Sequence, residues 1–408
     1  MLKSGIKSFL VFLILFTALK CIDPFYPKLN GYKPLLVVEG LITDSNSSYT
    51  IRLSNTKQTT AETAPMVSDA VVSIMDEVGN KTSLTPSGNG IYKTDSLTFR
   101  GEVGKTYRLN IKTSDGNEYE SDSCTMMPVP EIDSIYYGRE VQLSGNQSIA
   151  RPGLSVYLET KPGIDDKYFL RWEFEETWKF GIPLPTLYNY ISEKNILQIS
   201  PAYVKQYCYK SARSGGIITG AILTGQSNLK KQPVQFISTE LSDRLTIRYS
   251  ILIKQYSVSQ KEYDYWNDLR QVNETNGDIF GPQPFSVVSN IKNVNDPTEQ
   301  VLGYFQVSAM EQKRKFIDYN ETLPLDLPNY NYGCQRISKG PVDYSFGFSP
   351  PPTFDDVYEM FMSKGIYTFI EPVLDQSGDL FRLSFTTNEC ANCEKTGTSK
   401  KPDFWQDN

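Results

Sequence analysis

The sequence predicts a mainly β protein: an N-terminal immunoglobulin-like β-sandwich followed by a larger β-rich domain with one prominent helix, at about 259–276. Three observations carry this. Short runs of alternating apolar and polar residues recur along the chain, separated by Gly, Asn and Asp turn signals. Aromatic residues that suit a pleated, half-buried surface are plentiful, with 26 Tyr and 21 Phe. Only one stretch switches convincingly to a helical period.

That stretch follows the strand pattern of Leu245 to Gln255, where Leu245, Ile247, Tyr249, Ile251 and Ile253 alternate with polar residues. Ser259 and Glu262 then have the spacing of a capping box, in which hydroxyl and carboxylate each take an orphan backbone N–H. Tyr263, Trp266, Leu269 and Val272 follow on one face, predicting a helix whose stripe, Trp266 included, is buried on a sheet. Gly277 stands where a left-handed C-cap is expected.

A chain of 408 residues exceeds one ordinary core, so two folded domains are expected. Lys3 and Lys7 precede an apolar run of eleven residues, Phe9 to Leu19, which is too short to span a bilayer and suits a signal peptide. Cys21 follows, predicting a lipoprotein signal over 1–20 with the lipid on Cys21, although Ala18, Leu19 and Lys20 depart from the usual residues there. Residues 21–32 (CIDPFYPKLNGY) read as a tether.

The sandwich is expected over 33–128. Its strands start with Leu35–Leu41 and Tyr49–Leu53, and Asp115-Gly116-Asn117 marks a hairpin turn. The run Gly104-Lys105-Thr106-Tyr107-Arg108-Leu109 has the form of a corner closed by a tyrosine hydroxyl. Pro128-Val129-Pro130 reads as a stiff linker. The larger domain is expected over 129–385, with strands at Ile132–Tyr137, Leu154–Thr160, Tyr168–Glu175, Ile217–Leu223, Leu245–Gln255 and Val301–Ser308. A long surface excursion is expected from Thr322 to Pro352, and residues 386–408 read as a cysteine-containing tail.

Composition narrows the chemistry. A formal charge of −6 and a pI near 5.1 argue against nucleic acid as a partner. The chain has no histidine, which removes Ser-His and Cys-His nucleophile pairs and most transition-metal sites. No catalytic residue, metal or cofactor is expected. Acidic pairs such as Asp165-Asp166, Glu175-Glu176 and Asp355-Asp356 invite a glycosidase reading, but solvated surface is the stronger one, since neighbours on a strand face opposite ways. Asp375-Gln376-Ser377-Gly378-Asp379 reads as a turn rather than a calcium loop. An aromatic cluster stands out, with Trp172, Trp178, Tyr188 and Tyr190 as candidate binding rings, and β core as the competing and stronger reading.

Five cysteines remain beyond Cys21. Cys390 and Cys393 form a C-x-x-C without the βαβ setting of a redox motif, so structural disulfides among Cys208, Cys334, Cys390 and Cys393 are expected. The favoured pairings join Cys390 or Cys393 to Cys334 or to each other, with one thiol left over.

The opening CIDPF, then LLVVEGLIT, RYSILIKQYSVSQKEYDYWNDL, VLGYFQVSA and the terminal C-x-x-C with GTSKKPDFW occur in this order. In this combination the chain resembles a family of Bacteroidota outer-membrane lipoproteins known only as a domain of unknown function. The resemblance implies a setting near SusC/SusD-like TonB-dependent transport systems, and supplies no catalytic residue. The function expected is therefore a non-catalytic outer-membrane lipoprotein, facing the cell surface or the periplasm. Its partners would be the membrane, through the lipid, and an outer-membrane barrel or transporter complex to which it is an accessory. Capture of glycans or peptides is the alternative, and a carboxylate-dependent hydrolase the more distant one.

Overall fold

The computed structural model describes residues 32–58, 63–144, 149–161, 167–223, 229–275, 287–344, 346–347 and 350–407. The expected signal peptide, Cys21, nearly all of the tether, Asp165-Asp166 and the Gly277 cap lie outside them. The protein is mainly β, with 46% strand against 14% helix. Among the described residues, no helix is long and apolar enough to cross a membrane.

The N-terminal unit is a two-sheet sandwich. Strand Leu36–Ile42 pairs antiparallel with Thr50–Asn55, so that Val38, Ile51 and Leu53 meet Ile74, Leu109 and Ile111 of the second sheet in one core. Tyr107 closes its corner as the sequence predicts, its hydroxyl accepting the Glu102 N–H at 2.9 Å. Asp115 forms the expected turn, with Gly116 at φ +92.

One strand joins from far down the chain. Leu302–Val307, expected within the larger domain, instead pairs parallel with Leu36–Ile42, while Ile291–Asn293 pairs with Glu118–Ser121. Ile291, Val301, Phe305 and Val307 fill the sandwich core, which is why the chain returns: without them its first sheet would expose Val38 and Ile42. The sandwich is thus built from two separate segments, and its outermost pair is parallel, unlike the antiparallel sheets of an immunoglobulin domain.

The second unit is organised on Tyr168–Gly181, flanked by Arg248–Val258 and Tyr207–Arg213. It packs against the sheet formed by the long hairpin Ile132–Ser144/Ile149–Thr160 and Leu229–Ser238. The expected linker is not loose. Gln255, fully buried, donates through Nε2 to the Pro130 carbonyl at 2.6 Å and accepts from Trp172 Nε1 and Thr160 Oγ1, both at 2.8 Å. A third, smaller cluster gathers Phe361, Phe369 and Phe385 beneath helix Phe354–Met362. Among its described residues the expected excursion carries short elements, one of them the strand Ile337–Lys339.

Gly303 is the position where the returning strand admits no side chain. Its φ is +89, and a Cβ there would lie 1.9 Å from the Val38 carbonyl oxygen. Gly303→Ala should therefore cost at least roughly 1–3 kcal/mol from the backbone conformation alone. Gly215→Ala, where nothing lies within 4 Å, is the matched control. Equal melting temperatures for the two variants would contradict the parallel pairing.

Candidate functional site at the seam of the two units

Strand alternation decides which side chains face the seam. Along Tyr168–Gly181 the even-numbered Leu170, Trp172, Phe174, Trp178 and Phe180 enter the core, while Phe169, Arg171, Glu173 and Glu175 point the other way. On that outer face lies the helix Gln260–Thr275. Ser259 Oγ accepts the Glu262 N–H at 3.2 Å, the expected half of the capping box, whereas the Glu262 carboxyl, expected to return to the Ser259 N–H, accepts from the Trp266 indole instead. Tyr263 packs on Phe169, with ring centroids 5.0 Å apart. The Arg171 guanidinium lies 4.0 Å from the Trp266 ring centre.

The inward face of the helix is rotated from the expected stripe. Glu262 and Tyr265 are buried, whereas Tyr263, Trp266, Leu269 and Val272 are half-buried. The reason is chemical: Trp266 Nε1 donates to Glu262 Oε1 at 3.1 Å, so a carboxyl takes a place that an apolar pattern leaves to water.

The opposite wall comes from the outer face of the sandwich. Glu39 stands beside Arg52 and Tyr304 in the strand register, and Leu41 beside Thr50 and Gln306. Two contacts tie the walls together. Arg171 Nη1 donates to Gln306 Oε1 at 3.0 Å, and the Tyr265 and Tyr304 rings meet at 4.6 Å. Between them the seam encloses about 590 Å³, lined by Glu39, Arg52, Arg171, Glu173, Trp266 and Tyr304 among others. That is the size of an ordinary ligand pocket. A second hollow of about 520 Å³ shares Tyr304 and is lined also by Asp122, Cys124, Lys261 and Glu262.

The electrostatics favour holding over reacting. Glu39 pairs with Arg52 at 3.6 Å, and Glu173 pairs with Arg171. Burial raises the Glu262 carboxyl to about 8, opposed by the Trp266 hydrogen bond and the Arg171 charge, so at neutral pH it is largely protonated. Burial likewise pushes the Cys124 thiol up to about 12, which keeps it a thiol rather than a nucleophilic thiolate. Among the described residues, no three His, Cys, Asp or Glu side chains gather as a metal site would need.

The residues singled out from sequence fall elsewhere. Trp172 and Trp178 are core, their indole N–H groups donating to Gln255 and to Asp243, and neither offers a ring to a ligand. The cause is their even register on the central strand. Tyr188 and Tyr190 pack on the third cluster, Tyr190 stacking on Tyr358 at 4.4 Å. Tyr203 and Tyr207 of the same stretch do face solvent. Among the described residues the disulfides are Cys334–Cys390 and Cys208–Cys393, and Cys124 is a free thiol. The first is among the favoured pairings. The second is a correction: Cys393 reaches Cys208 because the tail runs back along Tyr207–Arg213, where Tyr209 and Thr398 exchange backbone hydrogen bonds. Trp405 is buried beyond it against Tyr209 and Phe316.

The acidic pairs within the described residues are held by structural contacts, and the buried Glu176 departs from the solvated surface expected of it. Glu175 bonds Lys254, while Glu176, on the other face, is buried with Arg244 and Tyr249. Asp355 accepts from Tyr190 and Asp356 completes a capping box with Thr353. Asp375 accepts the N–H groups of Ser377 and Asp379 in its turn. Sequence reasoning missed Glu39, Arg52, Tyr304 and Gln306. Only the Glu39–Arg52 pair had a local signal, as opposite charges on successive strands.

The chain belongs to the family defined by a domain of unknown function (DUF4249), whose model matches residues 22–314. That span contains every residue named in the seam. No curated protein matches the chain.

A raised carboxyl pKa means that the folded state holds a proton the unfolded chain releases. The Glu262 contribution should be complete below the ordinary 4.5 and be lost as pH rises to about 8, at up to about 1.4 kcal/mol per pH unit. Glu262→Gln should match the wild type near pH 5 and become the more stable of the two above pH 8. Parallel stability curves across that range would contradict the buried carboxyl.

Proposed function

We propose that this DUF4249 member is a non-catalytic lipoprotein of the outer membrane, held by a lipid on Cys21. It acts as an accessory subunit of a TonB-dependent transport complex or another outer-membrane protein complex. The observation that carries the reading is the chemistry of the seam. Its inner carboxylate Glu173 is tied to Arg171, its rim carboxylates Glu39 and Asp122 stand opposite Arg52 and Lys261, its buried carboxyl Glu262 is shut away from a substrate, and its thiol is protonated. General acid–base work near neutral pH needs a group free to exchange a proton with a substrate. This seam offers instead indole, phenol and guanidinium surfaces, the groups that dominate binding energies. The likeness to lipoproteins encoded beside SusC/SusD-like systems supports the transporter setting by association.

A second reading, capture of a glycan or peptide at the cell surface, is favoured by the dimensions of the cleft. A hydrolase with two working carboxyls fits less well, for the reasons just given.

Cys21→Ala should abolish labelling by a palmitate analogue and move the protein to the soluble fraction; persistent labelling would contradict the anchor. Tagged wild-type protein, solubilised in mild detergent, should co-elute in near-equal amounts with a SusC-like barrel or another outer-membrane complex. Recovery as a monomer that turns over a glycan or peptide would overturn the accessory role.

A further inference from the structure

We infer that the seam receives an extended polypeptide segment of the partner, one that carries both acidic and basic side chains around an apolar residue. This rests on the seam being the binding site of the accessory reading. The shape argues for a chain: two hollows of about 590 and 520 Å³ share Tyr304 in their linings, so an occupant of both must reach across that ring. A compact molecule would fill one of them and leave the other to water.

The charges argue for a polypeptide. Three ion pairs lie along the two hollows, Glu39–Arg52, Glu173–Arg171 and Asp122–Lys261, so the two signs balance. A uniformly charged polymer would meet as much repulsion as attraction. A neutral polyol would cover these charges without replacing them, which costs free energy. Side chains of both signs avoid that cost, because each can take over one partner of a pair.

The pairs are graded for this exchange. Arg171, 12% exposed, is fixed by Glu173, Gln306 and the Trp266 ring, and shapes the site. The outer pairs are long, at 3.6 and 3.9 Å, and their four side chains are 46–87% exposed. Exposed pairs of this kind contribute little, so opening them is cheap. Val37, Leu41 and Leu269 line the first hollow and give an apolar side chain somewhere to go.

The test is selection of a random octapeptide display library on the detergent-solubilised full chain. Enriched peptides should carry both signs about an apolar centre. A synthetic representative should change the emission of Trp266, the half-exposed one of four tryptophans. Arg52→Glu should weaken it about tenfold, as loss of a rim contact worth about 1.4 kcal/mol would. Adding Glu39→Arg to that variant should restore affinity for the peptide with its charges reversed. Enriched peptides that bind Arg52→Glu and Trp266→Ala as well as wild type would overturn the inference. So would an empty selection, or tighter binding of maltoheptaose, a neutral glycan, than of any peptide.

The two proposals fail separately. A barrel that co-elutes equally with wild type and with the Glu39→Arg/Arg52→Glu protein would sink the seam as its dock and leave the accessory role standing. Seam-dependent peptide binding, with no partner co-eluting with wild type, would do the reverse.

Discussion

Much of this structure depends on one backbone pairing, between Leu36–Ile42 and the returning strand Leu302–Val307. More than 250 residues of chain separate the two strands. Closing such a loop costs conformational entropy, although the cost grows only slowly with length. Burial of Phe305, Val307, Ile291 and Val301 against Val38 and Ile42 offsets it. The same pairing sets Tyr304 and Gln306 on the outer face of the sandwich, since they alternate with Phe305 and Val307. One strand therefore completes a core with one side and builds a wall of the seam with the other.

The seam in turn shows how buried polar groups fix geometry. Arg171 is held by Glu173, by Gln306 across the seam and by the face of Trp266, whose N–H is taken by Glu262. Each link constrains the next, from the central strand through the helix to the sandwich. A guanidinium is suited to this, because it donates in its own plane while its face stacks on a ring. With Gln255 fastening the linker, the units meet through specific contacts and not only through the chain that joins them.

The parts legible in the sequence were those governed by local rules. Alternation located two strands, although the one expected at Leu245–Gln255 runs Arg248–Val258, with Leu245 in the turn before it, and the one expected at Tyr168–Glu175 runs on to Gly181; the Ser259 cap located the helix start, and the tyrosine corner located Tyr107. What sequence could not supply was the destination of a strand. Val301–Ser308 has a clear strand pattern, yet nothing local says that its partner is Leu36–Ile42. The candidate site suffered from the same gap. Trp172 and Trp178 drew notice as large rings, but rings on the inward register of a central strand are core. Arg171, one position away, faces the seam. The phase of the helix was offset because Glu262 counts as polar in any pattern, while here it is buried with an indole N–H as its partner. The tail shows the limit in cysteine chemistry: the favoured pairings joined Cys390 or Cys393 to Cys334 or to each other, and while Cys390 does pair with Cys334, the fold sends Cys393 to Cys208.

Native-state hydrogen exchange tests most directly whether the returning strand makes the two units a single body. The amides of Val38, Gly40, Phe305 and Val307 should exchange through the same cooperative opening as those of Trp172 and Ile253, with one shared free energy and denaturant dependence. A sandwich that opens on its own, its amides exchanging at lower free energy while the Tyr168–Gly181 sheet stays protected, would contradict a seam rigid enough to recognise a partner.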